Sequence, residues 1–353
     1  MRDKGSTMKE LVRNYFYQIG YFALRSIPYK FEGNDISDID VWIYGRQSAT
    51  ARVRGIIDVK NKKSPKALER ILWAKGIQTS IGCDKAIIAT TDTNPAVTRF
   101  AKSLNVSVIN KQFIERLDNK LPLEQRLSME DLLDRVRDYT NHKTDGDWIK
   151  HIEDAKSSLI DKNSFKSFNR IMLSFQFFSE RAEVRPQQKE IAIRLAIFMA
   201  SLACIALDSS LESYVFDGPA QRHNGIIQGV TYGDSGDGKT MGNIKKILAL
   251  ISESMENGKS IASIVEQKIK LTFSEIRADI VAEYFALEHH SQHLFSVARQ
   301  LESLAHSKSP ITAHELPPEA KSILGGITTL PFFFISFCIV IIVDSSALTS
   351  FSP

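Results

Sequence analysis

Cysteine is scarce, with three residues (Cys83, Cys204 and Cys338) in a chain of 353. They are far apart, odd in number and never in a CxxC pair, which excludes a disulfide framework and a cysteine-based zinc site. A reducing, cytoplasmic setting fits that usage. The opening residues, MRDKGSTMKE, lack the apolar core of a secretory signal, so export is not expected. No internal repeat is visible, so a repeat solenoid is not expected. Neither charge sign dominates: 45 Lys+Arg face 41 Asp+Glu, a net of +4.

What is present reads as globular. Hydrophobic residues make up 43% and charged residues 24%, enough to bury a core, and the length suits two domains. The charge is unevenly spread. Residues 1–125 hold 21 Lys+Arg and 13 Asp+Glu, a net of +8, leaving 24 against 28 and a net of −4 for the remainder. A basic first part suits a polyanionic partner, although the same residues can simply solvate a surface.

Apolar spacing predicts a helix over residues 9–24 and two strands, Ile39–Tyr44 and Val53–Val59, separated by a polar turn near Gly45–Ser48. Ser64 and Pro65 can open a helix reaching about Ser80. Lys85–Thr91 reads as a buried strand, Asn94-Pro95 as the start of a helix to Ser103, and Val106–Asn110 as a short strand followed by a helix from Lys111. This order implies a mixed α/β sheet flanked by helices over residues 1–122. From about Pro122 the segments become long and helix-prone, so 123–321 reads as a mostly α-helical region of unassigned role.

The chemistry-bearing residues lie on the two strands. Asp58 and Lys60 are two apart, so they share a face, while Ile57 and Val59 face the apolar layer. Asp40 ends the run NDISDID where the neighbouring strand begins. Glu32, Asp35 and Asp38 crowd the same stretch, and Asp40 is preferred for its place beside the apolar run. Two carboxylates on adjacent strands can hold a hard divalent cation, and Lys60 can orient water and stabilise developing charge. A bare D-x-K is common at solvated strand edges, so context carries the assignment. Asn61, Lys62 and Lys63, with Lys66 and Arg70 beyond, can track a phosphate backbone or form an ordinary solvated turn.

The runs DIDVWIYG and GIIDVKNK resemble the PD-(D/E)xK nuclease superfamily. The stretch KAIIATTDTNPAVTRFAKSLNVSVINKQFIERL resembles its Mrr-type restriction endonuclease branch, so the likeness spans roughly residues 9–117. It implies a restriction-endonuclease-like α/β fold with Asp40 as the first acid, Asp58 as the second and Lys60 as the motif lysine. It also implies Mg²⁺ or Mn²⁺ on Asp40 and Asp58, and DNA as substrate. Family members often carry an acid in the first helix and a glutamine in the helix after the motif, which point to Glu10 and Gln78. The literal Pro-Asp is absent. The resemblance implies an endonuclease acting in restriction or defence against foreign DNA, with a homo-oligomer compatible.

Three further features compete. GDSGDGKT, Gly233–Thr240, matches the phosphate-binding pattern GxxxxGK[ST], but the preceding NGIIQGVTY is only a weak strand and the flanks are helical. A flexible interhelical loop is the better account. Glu288, His289, His290 and His293 lack an evident additional ligand and read as a solvated helix face. Residues 322–343 carry no charge in 22 positions and are long enough for one transmembrane helix, which would anchor a cytoplasmic catalytic domain to the inner membrane. The alternative function is therefore a non-catalytic or nucleotide-driven, membrane-associated DNA-binding protein using Gly233–Thr240.

Overall fold

A computed structural model describes residues 4–61, 66–120, 126–161, 164–311 and 316–328. Its first part runs helix α1 (Lys4–Gln18), strands β1 (Phe22–Phe31), β2 (Asn34–Arg46) and β3 (Arg52–Lys60), and helix α2 (Ala67–Ile81). Strand β4 (Lys85–Thr90), helix α3 (Pro95–Ser103), strand β5 (Ser107–Ile109) and helix α4 (Lys111–Lys120) follow. The strands form one mixed sheet ordered β1-β2-β3-β4-β5. Short hairpin connections make β1, β2 and β3 antiparallel, and the α2 and α3 crossovers make β3, β4 and β5 parallel.

Strand β1 is an addition to the expected order. Phe22 and Leu24 continue the helical spacing of α1, but the chain turns at Gly20, whose φ of 104° a side chain would resist. Both residues then pack into the sheet. Pro28 is tolerated because β1 is an edge strand.

The second part contains α5 (Met129–Asp138), α6 (Trp148–Ser158), α7 (Ser164–Val184), α8 (Lys189–Leu211), α9 (Pro219–Tyr232), α10 (Gly236–Ser254), α11 (Gly258–Glu275), α12 (Ala278–Phe285), α13 (Glu288–Ala305) and α14 (Pro318–Thr328). The mostly helical region is thus present. One sheet face, with Ala23, Val41, Ile43, Ile57 and Val59, packs under α1 and α4. The other, with Phe22, Trp42, Tyr44, Ile56 and Ile88, joins α2 and the helical region in one continuous apolar cluster. Helix α8 runs through that cluster and is buried along nearly its whole length.

The C-terminal apolar helix expected over 322–343 is corrected. Residues 322–328 belong to α14, where Ile323, Leu324 and Ile327 are buried in the same core, and residues 329–343 lie outside the described residues. Among the described residues, the helix long and apolar enough to cross a membrane is Pro186–Tyr214, and 89% of its apolar window is buried inside the protein. It therefore has a protein core as its apolar surroundings.

Candidate active site

Strands β2 and β3 pair from Arg46–Arg52 to Val41–Ile57 and no further. Beyond that point the Val59 N–H would lose its ladder partner. Asp40 supplies one: its Oδ2 accepts from the Val59 N–H at 2.8 Å. Opposite Asp40 on β1, between the pairs Arg25–Val41 and Ile27–Ile39, Ser26 takes a left-handed φ of 51°. The Lys156 ammonium of α6 donates to the Ser26 carbonyl at 2.6 Å. Asp40, midway along β2, thus lies between a left-handed backbone residue on β1 and the point where the β2–β3 ladder ends.

Asp58 and Lys60 pair with Ile88 and Thr90 of β4 at the C-terminal end of the parallel strands, the usual place for a site in such sheets. Asp40 and Asp58 are 5% and 1% exposed. The Lys60 Nζ lies between them, 3.4 Å from Asp40 Oδ2 and 3.3 Å from Asp58 Oδ1. Lys9 of α1 approaches Asp40 Oδ1 at 2.6 Å. Burial alone would raise the Asp40 pKa, but the hydrogen bonds and charges of Lys9, Val59 N–H and Lys60 hold it below the ordinary carboxylate range. Arg70 of α2 forks onto Asp58, its Nε donating to Oδ2 at 3.0 Å and its Nη2 to Oδ1. The Arg70 guanidinium also lies 4.0 Å from the Trp73 ring centroid.

The structure therefore brings Asp40, Asp58 and Lys60 together and leaves two of the expected residues elsewhere. The Glu10 carboxylate accepts from Arg13 Nε and Arg25 Nη1, each at 2.8 Å, with Arg126 beside it. It is held in an ion-pair cluster between α1, β1 and the helical region. Gln78 lies in the last turn of α2, its Nε2 donating to the Asp84 carbonyl at 3.0 Å and its Oε1 accepting from Lys75. Asp84 precedes β4, so Gln78 sits at the opposite end of the strands from Asp58. Lys9 and Trp73 are additions to the expected set, and Arg70 takes a closer role than backbone tracking. Part of this was legible: in a strand-helix-strand crossover the first turn of the helix lies at the C-terminal end of the preceding strand, which favours Arg70 over Gln78. Lys62 and Lys63, with Ser64 and Pro65, lie outside the described residues.

The glycine-rich motif lacks the strand-loop-helix arrangement of a phosphate cradle. NGIIQGVTY is helical within α9, Gly233–Ser235 form a single 3-10 turn, and Lys239 and Thr240 already belong to α10. This corrects the weak strand and reduces the expected interhelical loop to one short turn between α9 and α10. Asp234 caps α7 by accepting from the Phe165 and Lys166 N–H groups. His289 and His293 are exposed on α13, while His290 stacks on Tyr284. Among the described residues no group of three His, Cys, Asp or Glu is placed to hold a metal ion.

Comparison of this chain with protein-family models, with curated proteins and with solved structures finds no match.

Proposed function

We propose that the protein is a metal-dependent DNA endonuclease of the restriction-endonuclease-like type, acting in restriction or defence against foreign DNA. The observation that carries this reading is the meeting of Asp40, Asp58 and Lys60, with Lys60 within 3.4 Å of both carboxylates at the C-terminal end of a parallel strand pair.

The donor set suits Mg²⁺ or Mn²⁺. Two carboxylates are hard oxygen donors, and such ions commonly complete their shell with water and substrate phosphate. Asp40 and Asp58 would hold the ion, which when bound lowers the pKa of a coordinated water and offsets phosphate charge. Lys60, ion-paired with both carboxylates, would orient that water and stabilise charge on a phosphoryl oxygen. Val59 fixes Asp40 through its backbone amide.

One observation favours a second reading. Asp40 and Asp58 are already compensated by Lys9, Lys60 and Arg70, so the cluster can also serve as an ion-paired anchor in a non-catalytic DNA-binding module. Incubation of purified protein with supercoiled plasmid separates the two. The nuclease reading predicts nicking or linearisation with Mg²⁺, none with EDTA, and none by folded Asp58→Ala protein. Cleavage by Asp58→Ala at the wild-type rate would contradict it.

A further inference from the structure

Resting on the nuclease reading, we propose that Arg70 and Lys9 guard the metal seat, and that a divalent cation exchanges with Arg70 and frees its guanidinium to hold a substrate phosphate.

The charge count motivates the exchange. Two nearly buried carboxylates carry −2, and Lys9, Lys60 and Arg70 surround them with +3. Adding a dication without moving any of these would place +5 against −2 in a poorly solvated space, which Coulomb repulsion opposes strongly. Position decides which groups leave. Lys60 contacts both carboxylates and belongs to the strand. Lys9 and Arg70 each contact one carboxylate and approach from helices, so each can leave its carboxylate without displacing a strand; exposure does not separate the three, at 29%, 25% and 24% for Lys9, Arg70 and Lys60.

Arg70 is the more obstructive of the two. Its fork covers both Asp58 oxygens, and a Mg²⁺–oxygen distance of about 2.0–2.1 Å leaves no space for ion and guanidinium in the same plane. Trp73 gives the displaced group a nearby resting place. Arg70 already lies 4.0 Å from that ring centroid, and stacking on indole persists when the carboxylate contact is lost. The guanidinium then remains beside the seat with its donors free, suited to bidentate phosphate recognition. Metal and DNA therefore bind cooperatively through one side chain.

The test reads metal and DNA binding, not cleavage. Mn²⁺ affinity is measured by calorimetry for wild type, Arg70→Gln and Lys9→Gln, with folding checked by circular dichroism. Duplex DNA affinity is measured for wild type and Arg70→Gln, without metal and with Ca²⁺. The proposal predicts Mn²⁺ binding about tenfold tighter in Arg70→Gln and also tighter in Lys9→Gln. It predicts DNA binding weakened by Arg70→Gln with Ca²⁺ present and unchanged without it. Mn²⁺ affinity equal to or weaker than wild type in Arg70→Gln overturns the guard role. A DNA effect of equal size with and without Ca²⁺ overturns the release. If Arg70→Gln does not fold, Lys9→Gln carries the metal measurement and Arg70→Lys, which keeps the charge but cannot fork, carries the DNA one. Absence of Mn²⁺ binding in wild type and both variants overturns the inference together with the nuclease reading, and is thereby distinct from binding that the variants leave unchanged.

Discussion

At the scale of single residues, position along α2 separates groups that sequence alone treats alike. Arg70 and Gln78 are eight residues apart on one helix, a rise of roughly 12 Å. Arg70 reaches Asp58, while Gln78 reaches the Asp84 carbonyl before β4. Gln78→Ala is accordingly expected to leave the DNA cleavage rate unchanged and to cost about 1 kcal/mol of stability through lost hydrogen bonds. A large fall in rate with unchanged folding, read by single-turnover kinetics, would return Gln78 to the site. Asp40, Asp58 and Lys60 were legible because strand alternation and the neighbouring apolar runs fix where they lie. Lys9 was not, because its partner Asp40 is 31 positions away and only the fold brings them together. Glu10 and Gln78 rested on resemblance alone, and the local pairing of each satisfies it elsewhere.

At the scale of elements, local chemistry decided which boundaries could be read. Asn94 caps α3 by accepting from the Ala96 N–H and Pro95 follows at its first position, so that helix begins and ends where the sequence places it. Strand β1 was hidden because its apolar residues extend the spacing of α1 across Gly20. The long apolar stretch of α8 is explained by burial, and the second of its two acids, near the C-terminal end, does the joining. Asp208 accepts from Tyr44 Oη at 2.6 Å, Arg46 Nη1 at 2.8 Å and Arg52 Nε at 2.7 Å, tying α8 to β2 and β3. Removing one partner of a buried charge cluster typically costs about 3–5 kcal/mol. Asp208→Ala is expected to lower the unfolding free energy by that order in chemical denaturation. A loss near zero would mean that the sheet and α8 do not depend on this joint.

Across the whole molecule, a second ion cluster links α1 to α13. Arg126 forks onto Glu302, Arg13 lies 3.7 Å from the same carboxylate, and His306 packs beside it. Burial would raise Glu10 and Glu302, but the surrounding arginines, with His306 at Glu302, bring both down to about 2 from an ordinary 4.5. Burial and the charge of Arg126 push His306 down to about 4 from 6.5. The carboxylates contribute stability that is complete above pH 4.5 and lost as pH falls from there towards 2. For His306 the unfolded chain takes up its proton near 6.5 and the folded chain only near 4, so stability also falls across that interval. The melting temperature should therefore decline from about pH 6.5 downwards and more steeply below 4.5. His306→Gln should flatten the upper limb, and an unchanged limb would contradict this account of the joint. The long-range arrangement of this cluster, spanning residues 10 to 306, had no local signature in the sequence. The uncharged run after Lys321 had one, and of its described residues Ile323, Leu324 and Ile327 are buried in protein rather than requiring lipid.

The proposed role of Lys60 is to act on a phosphodiester drawn to a cation that Asp40 and Asp58 would hold, beyond serving as a counter-charge to the two carboxylates. Single-turnover cleavage of a labelled duplex at saturating Mg²⁺, comparing wild type with Lys60→Ala, tests it most directly. Since lysine is not a metal ligand, Mn²⁺ binding should persist in the variant, while the rate should fall by about 10²–10⁴, the range of a positioned proton-transfer or charge-stabilising group. Equal cleavage rates for the two proteins would contradict the account.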